Sequence, residues 1–293
     1  LISSLPVSNS INYQEMAFLI KDYTINYQYS VELAFQENKR NHQTTGHFSG
    51  FAPSFDGVDS VVSEQIVVRG GEVSLKWNTI EINDIKNILG EGNSFGKSLA
   101  TESAFKEKVL DSRVVHLATH AFTDIEDPMN SKIIFASEND SIEDGVLHAF
   151  EIYNMNFNTE LITLSACNTG YGKLSGGEGS MSLARAFSSA GVPSVVMSHW
   201  EVDDKITSEL MALFYQNLSG GLRKDVALKK AKLQLMETNE PTISDPFFWA
   251  AFVVVGDVSP LDVNKPVLKY WILGTVIFIL VLFLIGRKKL LLR

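Results

Sequence analysis

Cysteine is nearly absent. Cys167 is the only one in 293 residues, so no internal disulfide can staple the chain, and the redox compartment stays open. An excess of positive charge is missing too. Lys and Arg number 25 against 34 Asp and Glu, a net charge of −9, which argues against a broad nucleic-acid surface. No His-x-x-His or Glu-x-x-His spacing occurs, and one cysteine cannot build a thiolate zinc site, so no metal and no cofactor is expected. Gly96-Lys97-Ser98 invites a phosphate-loop reading, but the glycine that loop requires is Glu91, and the segment is expected between two helices rather than after a strand. There is no signal-peptide pattern and there are no internal repeats. The first residue is Leu1, from which we expect the C-terminal part of a longer product.

The composition is that of a globular chain, 45% hydrophobic and 20% charged, with length for one large domain or two small ones. Residues 46–52, 61–68, 113–119, 132–136, 161–164, 194–197 and 247–255 read as strands. Between them, helices are expected over 78–89, with Ile82, Ile85, Ile88 and Leu89 on one stripe, over 101–108 capped by Thr101, from Asp203 or Asp204 to 218, and over 223–237. Short helices are expected near 14–20, 29–35 and Glu151. Strands alternating with helices imply an α/β fold with a mostly parallel sheet covered on both faces.

The most informative stretch is 161–191, LITLSACNTGYGKLSGGEGSMSLARAFSSAG. Its apolar run ends at Ser165-Ala166-Cys167, a Gly-rich loop follows, and a helix starts near Gly177 or Glu178. Cys167 therefore lies just past the C-terminal end of a strand, where open α/β sheets bind ligands. The helix dipole there favours a thiolate. A buried, inert thiol is the alternative. Upstream, VVHLATHA at 114–121 is a strand that ends in His120. His116 lies deeper on the same side, and His42, His47, His148 and His199 have poorer addresses. His120 is expected to meet Cys167 at one edge of one sheet, as base and sulfur nucleophile; its alternative role is pairing with a loop carboxylate such as Asp124.

These residues resemble the CHAT domain family, caspase-like peptidase relatives found with tetratricopeptide repeats. The likeness is carried by HLATHA at 116–121, DGVLHAFEI at 144–152, LITLSACNTGYGKLSGGEG at 161–179, LARAFSSAGVPSVVMSHWEVDD at 183–204 and DPFFWAAFVVVGD at 245–257. NSINYQEMAFLIKDYTINYQYS at 9–30 and GFAPSF at 50–55 resemble the family's opening. The 47 residues from His120 to Cys167 are close to the caspase spacing of about 50. The resemblance implies a caspase-hemoglobinase three-layer sandwich over 1–257, a His120–Cys167 dyad, backbone N–H groups of Ala121 and Cys167 as oxyanion donors, and cleavage of a protein or peptide substrate. The family usually has Gly where this chain has Ala121, and commonly Glu where it has Asn168. By likeness to separases, Asp204 first and Asp203 second would receive a basic P1 side chain; the alternative is that either one caps the helix at 205. Tetratricopeptide repeats are implied upstream. A catalytically silent scaffold on the same fold is the competing function.

Past a linker at 258–269, Tyr270 to Gly286 carries no charge and is bracketed by lysines before and by Arg287, Lys288 and Lys289 after. At 1.5 Å per residue it reaches about 25 Å, enough with lysine snorkelling to cross a bilayer. A single-pass anchor with a basic tail at 287–293 is expected, the positive-inside rule putting that tail in the cytoplasm and the globular domain outside; a tail-anchored chain would be reversed.

Overall fold

The computed structural model describes residues 13–30, 46–55, 75–124, 126–137, 143–165, 167–168, 178–237 and 241–261. The chain divides into two units, Leu1–Leu261 and Asp262–Arg293, and all described residues belong to the first. The expected membrane span at 270–286 and the expected strand at 61–68 lie outside them. Among the described residues no helix is long and apolar enough to cross a membrane.

The first elements are a 3₁₀ turn at Tyr13–Glu15 and a single helical turn, α1 (Leu19–Asp22), where one helix over 14–20 was expected. Strand β1 (His47–Ala52) follows and stops at Pro53, which has no N–H to extend a ladder. Helix α2 (Asn78–Leu89) buries Ile82 and Ile85 and ends at Gly90, whose φ of 82° lets its N–H reach the Lys86 carbonyl. It packs so close to β1 that a Cβ on Gly50 would stand 2.9 Å from the Ile82 Cβ.

Strand β2 (Gly92–Gly96) pairs in parallel with β1, where the sequence pointed to an interhelical loop. It carries no β-branched residue, and its place at the sheet edge comes from close approach: a Cβ on Gly92 would lie 2.4 Å from the Phe48 carbonyl oxygen. Helix α3 (Glu102–Lys108) is capped as expected, the Ala104 N–H donating to Thr101 Oγ1 at 3.2 Å.

The expected strand over 113–119 with its histidine end is two strands, β3 (Ser112–Leu117) and β4 (His120–Phe122). The break falls where Ala118 N–H donates to the Phe51 carbonyl at 2.9 Å and the Thr119 hydroxyl donates to the Ile134 carbonyl. These bonds pull the chain from one sheet to another. The remaining elements are β5 (Lys132–Ile134), β6 (Val146–His148), α4 (Ala149–Ile152), β7 (Leu161–Leu164), β8 (Cys167–Asn168), α5 (Glu178–Ser189), β9 (Ser194–Ser198), α6 (Asp204–Ser219), α7 (Lys224–Met236), α8 (Pro246–Trp249) and β10 (Phe252–Gly256). The strand expected over 247–255 is thus a helical turn followed by a shorter strand. Asp245 accepts from the Phe247 N–H at 2.9 Å and Pro246 opens the turn, a helix-start signal that outweighs the aromatic run.

Six strands form the main sheet in the order β10-β9-β7-β3-β1-β2. All neighbours are parallel except β10 with β9. Helices cover both faces, so its central strands β7 and β9 are buried throughout and β3 at all but one residue. On one face Val115, Leu117, Ile162, Leu164, Val195 and Met197 meet Phe105 of α3 and Leu183 and Phe187 of α5. The other face, against α2 and α6, carries a polar chain inside the core. Glu81 Oε1 meets His116 Nε2 at 2.6 Å, His116 Nδ1 meets Tyr215 Oη at 3.2 Å, and Tyr215 Oη meets Thr163 Oγ1 at 2.8 Å. A second sheet, β6-β5-β4-β8, grows from the ends of β3 and β7. At the far edge of the main sheet the N-terminal segment adds a bridge: Tyr27 N–H donates to the Val254 carbonyl, and Gly256 N–H to the Tyr27 carbonyl.

Candidate active site

Strands β1, β3, β7 and β9 run parallel, so their C-terminal ends open on one edge, the ligand-binding edge of such sheets. The segments leaving that edge are 53–55, 118–119, 165 and 199–203.

His120 and Cys167 lie on the small second sheet rather than on the main one. There β4 and β8 pair in parallel with His120 opposite Cys167 and Ala121 opposite Asn168. Two residues 47 positions apart in sequence are therefore register partners, one strand spacing of about 4.8 Å apart in backbone. Ala121 is flanked on its other side by Ile133 of β5 and is buried in the main core. The His120 imidazole is 3% exposed. Phe55 stacks on it, ring centroids 4.9 Å apart and tilted by 45°. Phe55 is anchored in turn among Phe122, Ile134 and Val146.

Sequence reasoning missed the side chain that organises this edge. Asn78, 4% exposed, donates from Nδ2 to the Pro53 carbonyl at 2.8 Å and to the Ala118 carbonyl at 3.3 Å. One amide thus ties the segment that carries Phe55 to the segment that carries His120. The residue before it, Trp77, donates its backbone N–H to Asp204 Oδ2 at 2.7 Å, linking the start of α6 to the same cluster. In the sequence Asn78 read only as the first residue of a helix, and nothing in its local pattern marks a tertiary bond.

Of the two aspartates that the sequence offered as the cap of this helix, the structure uses Asp203. Asp203 is exposed and caps α6, its Oδ1 accepting from the Ile206 N–H at 3.0 Å. Asp204 is half-buried, and burial raises its pKa against the opposing effect of the Trp77 N–H. Burial likewise raises Glu201. His199 is lowered, by burial first and then by the charge of Lys232. His116, read as a deeper companion of His120, is instead consumed by the buried Glu81–Tyr215 chain. The one available signal was a glutamate beside the apolar stripe of α2.

Among the described residues, one group has the geometry of a cation site: Glu102, Glu143 and Glu151. The Lys106 ammonium stands among them, at 2.8, 2.7 and 3.0 Å, and supplies the positive charge itself.

Compared with known proteins, residues 2–257 match the profile of the CHAT domain. Tetratricopeptide repeat protein 28 of Mus musculus is 24% identical over 200 residues, and that of Homo sapiens 25%; the match takes in 58% of this chain and 8% of theirs. The chain therefore spans less than a tenth of the length of these curated relatives. Among solved structures, the Arg-specific cysteine proteinase gingipain R aligns with a TM-score of 0.43 at 12% identity, over 75% of this chain and 48% of its own. The Saccharomyces cerevisiae separase–securin complex aligns with a TM-score of 0.39 at 13% identity, over 72% of this chain and 12% of its own.

Proposed function

Because the chain belongs to the CHAT domain family, we propose that it is a cysteine endopeptidase, held at a membrane by residues 270–286, that cleaves protein partners through His120 and Cys167. The observation that carries this reading is the register pairing of those two residues on adjacent parallel strands. His120 takes the thiol proton, and the Cys167 thiolate attacks the scissile carbonyl. The backbone N–H groups of Ala121 and Cys167 hold the resulting oxyanion, each such donor contributing about 3–4 kcal/mol in well-studied proteases. The C–N bond breaks as the imidazolium protonates the departing amine. Water, deprotonated by His120, then releases the acid and restores the thiol. Asp204 receives a basic P1 side chain, and Asp203 borders it. Tetratricopeptide repeats upstream select the partner, and the basic tail at 287–293 lies on the cytoplasmic side with the globular domain across the membrane.

The test is a comparison of the full chain with Cys167→Ala in a lysate from cells that lack the protein. Fragments made by the first and not the second support the enzyme. Identical fragment patterns sink it. An acyloxymethyl-ketone peptide with P1 Arg should label Cys167 faster than its P1 Leu counterpart, and Asp204→Asn should remove that preference. A silent scaffold is the second reading, favoured by the burial of His120 beneath Phe55. It predicts that neither peptide labels Cys167 in the full chain.

A further inference from the structure

The described fold draws three lysines toward its interior and treats them differently. Lys106 meets three glutamates. Lys224, buried at the start of α7, meets Asp257 at 2.8 Å. Lys232, buried further along the same helix, donates to the Phe252 carbonyl at 2.6 Å, and among the described residues no carboxylate pairs with it. Burial alone pushes its pKa down to about 7. An ammonium in such a place needs a counter-charge or sheds its proton.

Lys232 borders a cavity of about 420 Å³ between α7, the α8–β10 junction and the segment around 17–27. That volume falls in the range of about 300–1,000 Å³ typical of small-molecule sites. Phe18, Ile20, Leu228, Trp249 and Phe252 make its walls apolar. The Trp249 ring is fixed by its indole N–H, which donates to the Ser244 carbonyl at 2.9 Å, and by an edge contact with Phe18 at 5.2 Å. The other charged or titratable groups that face the cavity are Asp225 and Lys229 of α7 and Tyr27. Asp225 is already held by Arg223 at 2.8 Å. His199 meets the Tyr27 ring edge-on just beyond.

We propose that this cavity binds a small apolar carboxylate, whose headgroup gives Lys232 the counter-charge the fold withholds and whose hydrocarbon body fills the space between Phe18, Leu228 and Trp249. The inference is independent of the peptidase reading.

The experiment is calorimetric titration of the full 293-residue chain in lipid nanodiscs with 4-phenylbutyrate and its neutral amide, empty nanodiscs serving as blank. The carboxylate should bind saturably and about tenfold tighter than the amide. At pH 7.5 its binding should take up protons, read from buffers of different ionisation heat, because an anion beside Lys232 favours the ammonium. Lys232→Met should abolish both the preference and the proton uptake while the amide binds as before. Ala17→Trp, on the exposed rim with Lys232 intact, should block both probes. Equal affinities of the parent chain for the two probes, no saturable binding of the carboxylate at millimolar concentration, a carboxylate preference that survives Lys232→Met, or binding of either probe that survives Ala17→Trp would overturn the proposal.

Discussion

Glu102 shares one ammonium with two other carboxylates and is almost wholly buried. Burial, offset in part by Lys106, raises its pKa from 4.5 to about 7. The folded-state value lies above the unfolded one, so its stabilising contribution is fully present below about 4.5 and is lost as the pH rises through about 7. Between pH 5 and 8, urea midpoints should fall by an amount worth about 1–3 kcal/mol, and Glu102→Gln should flatten that slope. A parallel slope in the variant would refute the assignment. Tyr215 is the second informative residue. Its fully buried hydroxyl joins His116 to Thr163, and burial pushes its pKa upward. Tyr215→Phe leaves two buried polar groups short of a partner, a loss of about 1–3 kcal/mol each where no water replaces it. Equilibrium unfolding that matches the parent would show that the chain contributes nothing. Of the candidate site, the place of His120 and Cys167 just beyond the apolar runs of β3 and β7 was legible, because apolar runs that stop at a polar residue mark a sheet edge. That they pair in register on two short strands of a separate sheet was not, since β8 spans only two residues and carries no periodic signal.

Elements were legible where local chemistry and packing agree. Helix α2 has an apolar stripe and a terminal Gly90, α3 has Thr101 in front of it, and both begin and end as read. The failures have local causes as well. Strand β2 is a strand because its glycines let β1 come close, which composition does not reveal. The aromatic run before β10 looked like strand, yet Asp245 and Pro246 turn it into a helical turn. Asp245→Ala should therefore cost about 1 kcal/mol and lower the thermal midpoint by a few degrees. Because Trp200 Nε1 donates to the Phe247 carbonyl in that turn at 2.8 Å, the substitution should also shift tryptophan emission. A silent spectrum would show that the turn holds without its cap.

For the whole molecule, the compact unit Leu1–Leu261 contains both sheets and every helix described above. A chain ending at 261 should unfold in one cooperative transition, with a midpoint within a few degrees of the longer chain. The longer chain alone should float with phosphatidylcholine vesicles after alkaline carbonate washing. Co-flotation of the shortened chain would remove residues 270–286 as the anchor. The overall class was readable because strand–helix alternation forces parallel neighbours. The antiparallel β10 was not, because a terminal strand next to β9 fits either direction until its register is seen.

The bridge between Tyr27 and the 254–256 backbone couples the beginning of the domain to its last strand. Those partners are separated by some 228 residues, from 27 to 255. At roughly 5–20 residues per second the ribosome needs on the order of ten to fifty seconds to cover that distance. Throughout that interval the segment around Tyr27 has no strand to dock against, although β1, β2 and β3 emerge within its first half. Closure of this border therefore waits until β10 has been made, and until then the backbone of Tyr27 lacks its partners at 254 and 256.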